Sequence, residues 1–172
     1  MSKSVAGNMI IFLLLLLMQV LICNHIMLFN VATPIIFIYV LMRLPMDMPV
    51  KMVMLASFMS GFLVDIFSDT PGVNALSCTI FSVLRKPVYM MYTGKDDNLA
   101  GLSPSISTLG APLYMKYLFS MTLIYCMLSI GIEFFTFTSL SRMLLIIICS
   151  SVMSFILMLG VDSLMSHSGR HT

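Results

Sequence analysis

Charge is what this sequence has least of: Asp, Glu, Lys and Arg together make up 9% of its 172 residues. Soluble domains carry roughly a quarter, so a surface facing mainly water is excluded. A mean hydropathy of +1.04 agrees. Polar tracts long enough for a separate soluble domain are missing too, so residues 1–172 read as a single transmembrane helical domain. Tryptophan is absent, which leaves tyrosine to build any interfacial belt. The four cysteines, Cys23, Cys78, Cys126 and Cys149, form no CxxC pair and lie in or beside apolar runs. They read as buried thiols acting as small hydrophobes rather than a disulfide or zinc framework. His25, His167 and His171 have no metal-ligand spacing to Cys or acid. No serine has a His and Asp at a common membrane depth, and no Gly-rich phosphate loop occurs. The expectation is a non-enzymatic chain without cofactor or metal. The nine basic residues are scattered rather than gathered on one face, which argues against nucleic acid as a partner. Acids deep in several spans, the mark of an ion-coupled transporter, are also lacking.

What the chain does have is apolar runs. A span needs roughly 20 residues, and six runs fit: about 5–23, 26–44, 50–67, 71–92, 112–134 and 141–165. The expected fold is an all-α integral membrane bundle of about six transmembrane helices. Methionine is abundant, at 19 residues; since Met and Leu exchange readily in apolar packing, this reads as drift between them. The first run follows Lys3 like a secretory signal, but bulky Ile22 precedes Cys23 where a lipoprotein box needs a small residue, so an uncleaved span is expected. The second contains Asn30 and Pro34, and reads as a short helix starting at Pro34 after an irregular lead-in that protein or water has to cover.

Six spans place both termini on one side. That side collects Lys3, Arg43, Lys51, Arg85, Lys86, Lys95, Lys116 and Arg170, leaving Arg142 opposite. By the positive-inside rule the richer side is cytoplasmic. Merging the first two runs gives five spans and moves Lys3 across, but residues 5–44 are too long for one helix. Tyr89, Tyr92, Tyr114 and Tyr117 fall beside the same cytoplasmic connection, as interfacial rings should. Arg85 and Lys86 are expected to snorkel to that interface, with a basic pocket for membrane lipid as the functional alternative; Pro87 ends or kinks the helix. The connection 93–110, rich in Gly, Ser and Pro, suits a docking strip and equally a simple tether.

One stretch says more. At Gly61-Phe-Leu-Val-Asp-Ile-Phe-Ser-Asp-Thr-Pro-Gly-Val-Asn-Ala-Leu76 an apolar run carries a carboxylate near its end, breaks, and resumes. Thr70, Ser68 or Asp69 can cap the following helix, Pro71 suits its first turn, and Asp69 complements its positive end. Asp65 has no such explanation: it sits near a helix C-terminus, where the dipole disfavours an anion. Two partners stay open, namely Arg142, the lone basic residue on the outer side, and the amides of its own turn. Upstream, Ala56 with Ser60 and Ser57 with Gly61 form small-xxx-small pairs that permit close helix approach, and Ser150 and Ser154 offer a further face.

The Pro34-Ile-Ile-Phe-Ile-Tyr-Val-Leu-Met-Arg-Leu-Pro45 segment, a short charged link, and Gly61 to Leu76 together resemble the rod shape-determining membrane protein family MreD. The pattern is a Pro-led short span ending in Leu-Pro, then a Gly-x-x-x-Asp span whose turn leads into Gly-x-x-Ala-Leu. Asn74 stands where many members carry His or another polar residue. The resemblance implies a non-enzymatic scaffold of the bacterial inner membrane. It implies as partners the bitopic protein MreC and, through it, the actin-like filament MreB, a RodA-type glycosyltransferase and a penicillin-binding transpeptidase. It also implies a six-helix bundle similar to the substrate-binding subunits of energy-coupling-factor transporters. Gly61, Asp65, Pro71 and Gly72 match motif positions with a structural or partner-facing role. The alternative is a solute-binding transporter subunit on the same architecture, with Asp65, Asn74 and Glu133 converging on an outward pocket.

Overall fold

A computed structural model of the chain describes residues 14–20, 34–94, 103–133 and 140–168. Expectations resting on Lys3, Cys23, His25, Asn30, Lys95, Arg170, His171 and most of the first span lie outside those residues. The described residues are helical with short connections and no strand. They form a helical segment at 14–20, then α1 (Ile38–Arg43), α2 (Val50–Ser68), α3 (Val73–Thr93), α4 (Ile106–Leu109), α5 (Ala111–Glu133) and α6 (Leu140–Ser168).

Helices α2, α5 and α6 (to Ser163) are long and apolar enough to cross a bilayer, which marks the chain as a multi-pass helical membrane protein. The 21 residues of α3 have the length too, but carry Arg85 and Lys86 and several small polar residues. The second expected span holds a short helix, as its sequence suggested, starting at Ile38 rather than Pro34. Residues 34–36 are not helical, and α1 has six residues, a length of about 9 Å, far short of the roughly 30 Å hydrocarbon core. Pro45 forces its predecessor out of helical geometry, and Leu44 accordingly ends α1 with ψ 144°. Pro87 does not end its helix; α3 runs through it to Thr93.

The long helices pack in chain order, α2 on α3, α3 on α5, α5 on α6, with α1 lodged against α3 and α5. A short turn makes α2 and α3 antiparallel, and the pairing of Phe81 with Tyr125 and of Tyr89 with Tyr117 makes α3 and α5 antiparallel too. Phe37, Ile38, Tyr39, Leu41 and Met42 of the α1 region are all but inaccessible, and meet Phe81, Tyr117, Met121 and Tyr125 in one core. The outer faces of α2 (Leu55, Phe58, Phe62, Ile66) and α6 (Leu145, Ile148, Val152, Ile156) stay exposed, as lipid-facing surfaces should. The tyrosine belt does not form as expected: Tyr89, Tyr114 and Tyr117 point into the core, and Tyr92 is half-buried with its hydroxyl 2.6 Å from that of Ser120.

The tightest contact is between α2 and α3. A Cβ on Gly61 would lie 2.5 Å from the Asn74 carbonyl oxygen and 2.7 Å from the Ala75 Cα, both backbone atoms that cannot swing aside. Apolar burial supplies no force between helices in lipid, so such packing and polar contacts supply it. Gly61→Ala is therefore expected to destabilise the protein by about 2 kcal/mol or more. Thermal unfolding in detergent reads this out; an unchanged midpoint would show that the helices have room to part.

Candidate functional site

Asp65 follows Gly61 by one turn on the same face of α2, so the close approach carries its carboxylate onto the start of α3. It is 4% exposed. Its Oδ2 accepts the Ala75 N–H at 2.8 Å, and its Oδ1 accepts the Asn74 N–H at 2.9 Å, the Asn74 side-chain amide at 3.0 Å and the Thr70 hydroxyl at 3.1 Å. Asn74 and Ala75 are the second and third residues of α3, the positions an N-cap side chain normally serves. Gly72 occupies the N-cap with φ 85° and has no side chain to offer. Asp65 thus caps α3 from the preceding helix, and the positive end of the α3 dipole favours its charge.

The amide of Asn74 extends the network. Its nitrogen donates to Asp65 and, at 3.2 Å, to Thr70; its oxygen accepts the Tyr125 hydroxyl at 2.7 Å. Tyr125 receives the Cys78 thiol at 3.9 Å and makes T-shaped ring contacts with Phe37 and Phe81, each with centroids 5.8 Å away. One carboxylate therefore ties α2 to α3 and, through Asn74 and Tyr125, to α5.

Several expectations for this turn are corrected. Thr70 hydrogen-bonds to Asp65 rather than to the helix amides, the Ser68 hydroxyl turns back to the Val64 carbonyl at 2.7 Å, and Asp69 is exposed as the left-handed C-cap of α2, with φ 55°. Pro71 precedes α3, which begins at Val73. The pairing with Arg142 does not form: Arg142 is exposed near the start of α6, and the amides of the turn take Asp65 instead. Glu133, exposed at the last position of α5, is not among the partners of Asp65. Ser57, Ser60 and Gly61 are buried on α2, whereas Ala56 is exposed, so of the two small-residue pairs only Ser57 with Gly61 serves close packing. The Ser60 hydroxyl donates to the Ala56 carbonyl at 2.6 Å, and that of Ser57 has no partner among the described residues.

The polar centre that sequence reading missed surrounds α1. Arg85 does not snorkel; it is 3% exposed and donates to the carbonyls of Leu41 at 2.8 Å, Leu44 at 2.9 Å and Pro45 at 2.8 Å. These carbonyls are the orphans left where the helix stops. At the other end Gln19 donates to the Pro34 carbonyl at 3.1 Å and accepts the Ile36 N–H at 2.8 Å, while Ser154 accepts the Ile35 N–H at 2.8 Å. Asp162 of α6, buried, accepts the hydroxyls of Tyr39 at 2.6 Å and Tyr114 at 3.2 Å and lies 3.6 Å from the Arg43 guanidinium. A signal was available: a Leu-Pro stop inside an apolar run frees carbonyls that need a donor, and Arg85 is the multi-donor residue of the neighbouring apolar helix.

Comparison with protein-family profiles, curated proteins and solved structures finds no match for this chain. Fold and polar sites define a helical membrane protein whose buried polar groups hold one another and the broken backbone.

Two substitutions test that description. Asp65→Asn sets an amide NH2 against donors and is expected to lower stability by about 1–3 kcal/mol. Arg85→Lys replaces a planar fork by a point charge that cannot meet three carbonyls in the same way, and is expected to cost about as much. Thermal melting of the purified variants checks both, and wild-type midpoints would refute the assigned roles.

Proposed function

We propose that the chain is a non-enzymatic scaffold subunit of the MreD type in the bacterial inner membrane, binding an MreC-like bitopic protein and through it the MreB filament, a RodA-type glycosyltransferase and a penicillin-binding transpeptidase of cell-wall elongation. The observation that carries the reading is the Gly61–Leu76 turn. Three residues of that turn are consumed in fixing the helices: Gly61 by close approach, Asp65 by capping, Asn74 by bridging to Tyr125. A rigid turn of this kind suits a surface that positions another protein. The solute-binding alternative needs Asp65, Asn74 and Glu133 free to converge on a ligand, and the first two are already engaged with protein groups.

The proposed topology has six spans with both termini in the cytoplasm. Its support is the end of the bundle that gathers Arg43, Lys51, Arg85, Lys86 and Lys116, opposite the end with Asp65, Asp69, Glu133 and Arg142.

Affinity purification in mild detergent tests the proposal. A bitopic MreC-like partner is expected to copurify, encoded by a neighbouring reading frame, with no small molecule attached; a tightly held vitamin-like ligand and no protein partner would overturn it. Thr70→Val supplies a second readout, since it removes one bond to Asp65 but leaves both capping amides. Normal protein level with cells that stay rods is expected.

A further inference from the structure

Lys51 and Lys86, like Lys116 on α5, are left over when the polar groups of the bundle have been paired, and these two share the α2–α3 pair. Among the described residues neither enters a hydrogen bond or an ion pair, in contrast to Arg85 and Arg43. Their placement follows from the α2–α3 register. Gly61 meets Asn74 and Ala75; moving along both antiparallel helices toward the basic end by about 15 Å reaches Lys51 on α2 and Lys86 on α3 at one level. The spacing of Ala75, Thr79, Ser82 and Lys86 continues the stripe that faces α2. Lys86 is half-buried on that stripe, roughly 10 Å inside the end of α3, and Lys51 is exposed in the first turn of α2. Two ammonium groups at a membrane boundary, with no acid paired to either, attract the anionic headgroups there.

We infer that the mouth of the α2–α3 groove holds the phosphate of an anionic phospholipid between Lys51 and Lys86, its acyl chains lying along the exposed apolar face of α2 beside Leu55 and Phe58. The bilayer is the source of this phosphate, and charge complementarity together with the continuous apolar face selects it over a soluble ion. Each lysine near such a surface adds about 1 kcal/mol, roughly a fivefold preference. The inference is independent of the scaffold proposal, because it concerns the lipid around the subunit and not its protein partner.

Purified full-length protein in nanodiscs of mixed phosphatidylglycerol and phosphatidylcholine, released for native mass spectrometry, reads out the retained lipid. Wild type is expected to retain phosphatidylglycerol at least tenfold over phosphatidylcholine. The double variant Lys51→Gln/Lys86→Gln loses that preference, and Lys116→Gln, on α5, keeps it. Each single variant loses about fivefold, which keeps the test open should the double variant not be recovered. Equal retention of both lipids by wild type, wild-type preference in the lysine variants, or equal loss in Lys116→Gln would overturn the site. Displacement of the lipid by millimolar inorganic phosphate would overturn the choice of occupant.

Discussion

A backbone that breaks inside a bilayer has no water to satisfy its open amides and carbonyls, and each one left bare costs several kcal/mol. The arrangement of this bundle follows from that constraint. Its chain breaks in two places that matter, around α1 and between α2 and α3, and at each break side chains from other helices take the role that water has in a soluble protein. Gln19 and Ser154 meet the non-helical lead-in at 34–36, Arg85 meets the carbonyls where α1 stops, and Asp65 meets the amides where α3 starts. The signs match the backbone: a cation faces free carbonyls at a helix C-terminus and an anion faces free N–H groups at an N-terminus.

The buried charges are therefore of two kinds. Asp65 and Arg85 are paired with backbone, and each has three or four bonds at ordinary distances in a water-poor setting, where charge-assisted bonds are strong. Asp162 and Arg43 are paired with each other at 3.6 Å, and the tyrosine hydroxyls at 2.6 and 3.2 Å are the closer contacts to the carboxylate. Its main solvation comes from Tyr39 and Tyr114, with the guanidinium, partly open to the outside, as the balancing charge. This division explains how a helix of six residues stays in place. Alone it would be far below the length at which a helix is stable, and it is held by contacts to 14–20, α3, α5 and α6.

Legibility from sequence followed the same division. Spans α2, α5 and α6 were readable because length and apolar composition are intrinsic to a segment. The close approach at Ser57 and Gly61 was readable because small residues permit it, although the parallel pair Ala56 and Ser60 has the same spacing and its Ala56 is exposed. The partner of Asp65 was not decided. Counting charges pointed to Arg142, whereas capping depends on how closely two helices approach, which Gly61 sets and no charge count contains. Arg85 was misjudged for a related reason. Snorkelling is the expectation for an arginine near a helix end when nothing inside needs it, and the need arose from orphan carbonyls some 40 positions earlier in the chain. The tyrosines failed likewise: proximity to a loop predicts an interfacial ring, but Tyr114 and Tyr117 follow the core-facing stripe of α5.

The two polar centres lie toward opposite ends of the bundle and share α1 as a common neighbour. Phe37, at its head, packs edge-on against Tyr125, which is bonded to the Asn74–Asp65 turn; Tyr39 and Arg43, at its middle and tail, reach Asp162. A displacement of α1 would strip hydrogen-bond partners from Asp162 and Arg85 and the Phe37 ring contact from Tyr125, while the bonds of Asp65 run to Thr70, Asn74 and Ala75 and hold the other turn. The short broken helix, which on length alone is the weakest element of the fold, is thereby the one most constrained from outside. The scaffold role proposed above, which calls for a fixed surface at the membrane, gains from that arrangement. The two ends of the bundle are held to one internal reference rather than to the loops between spans.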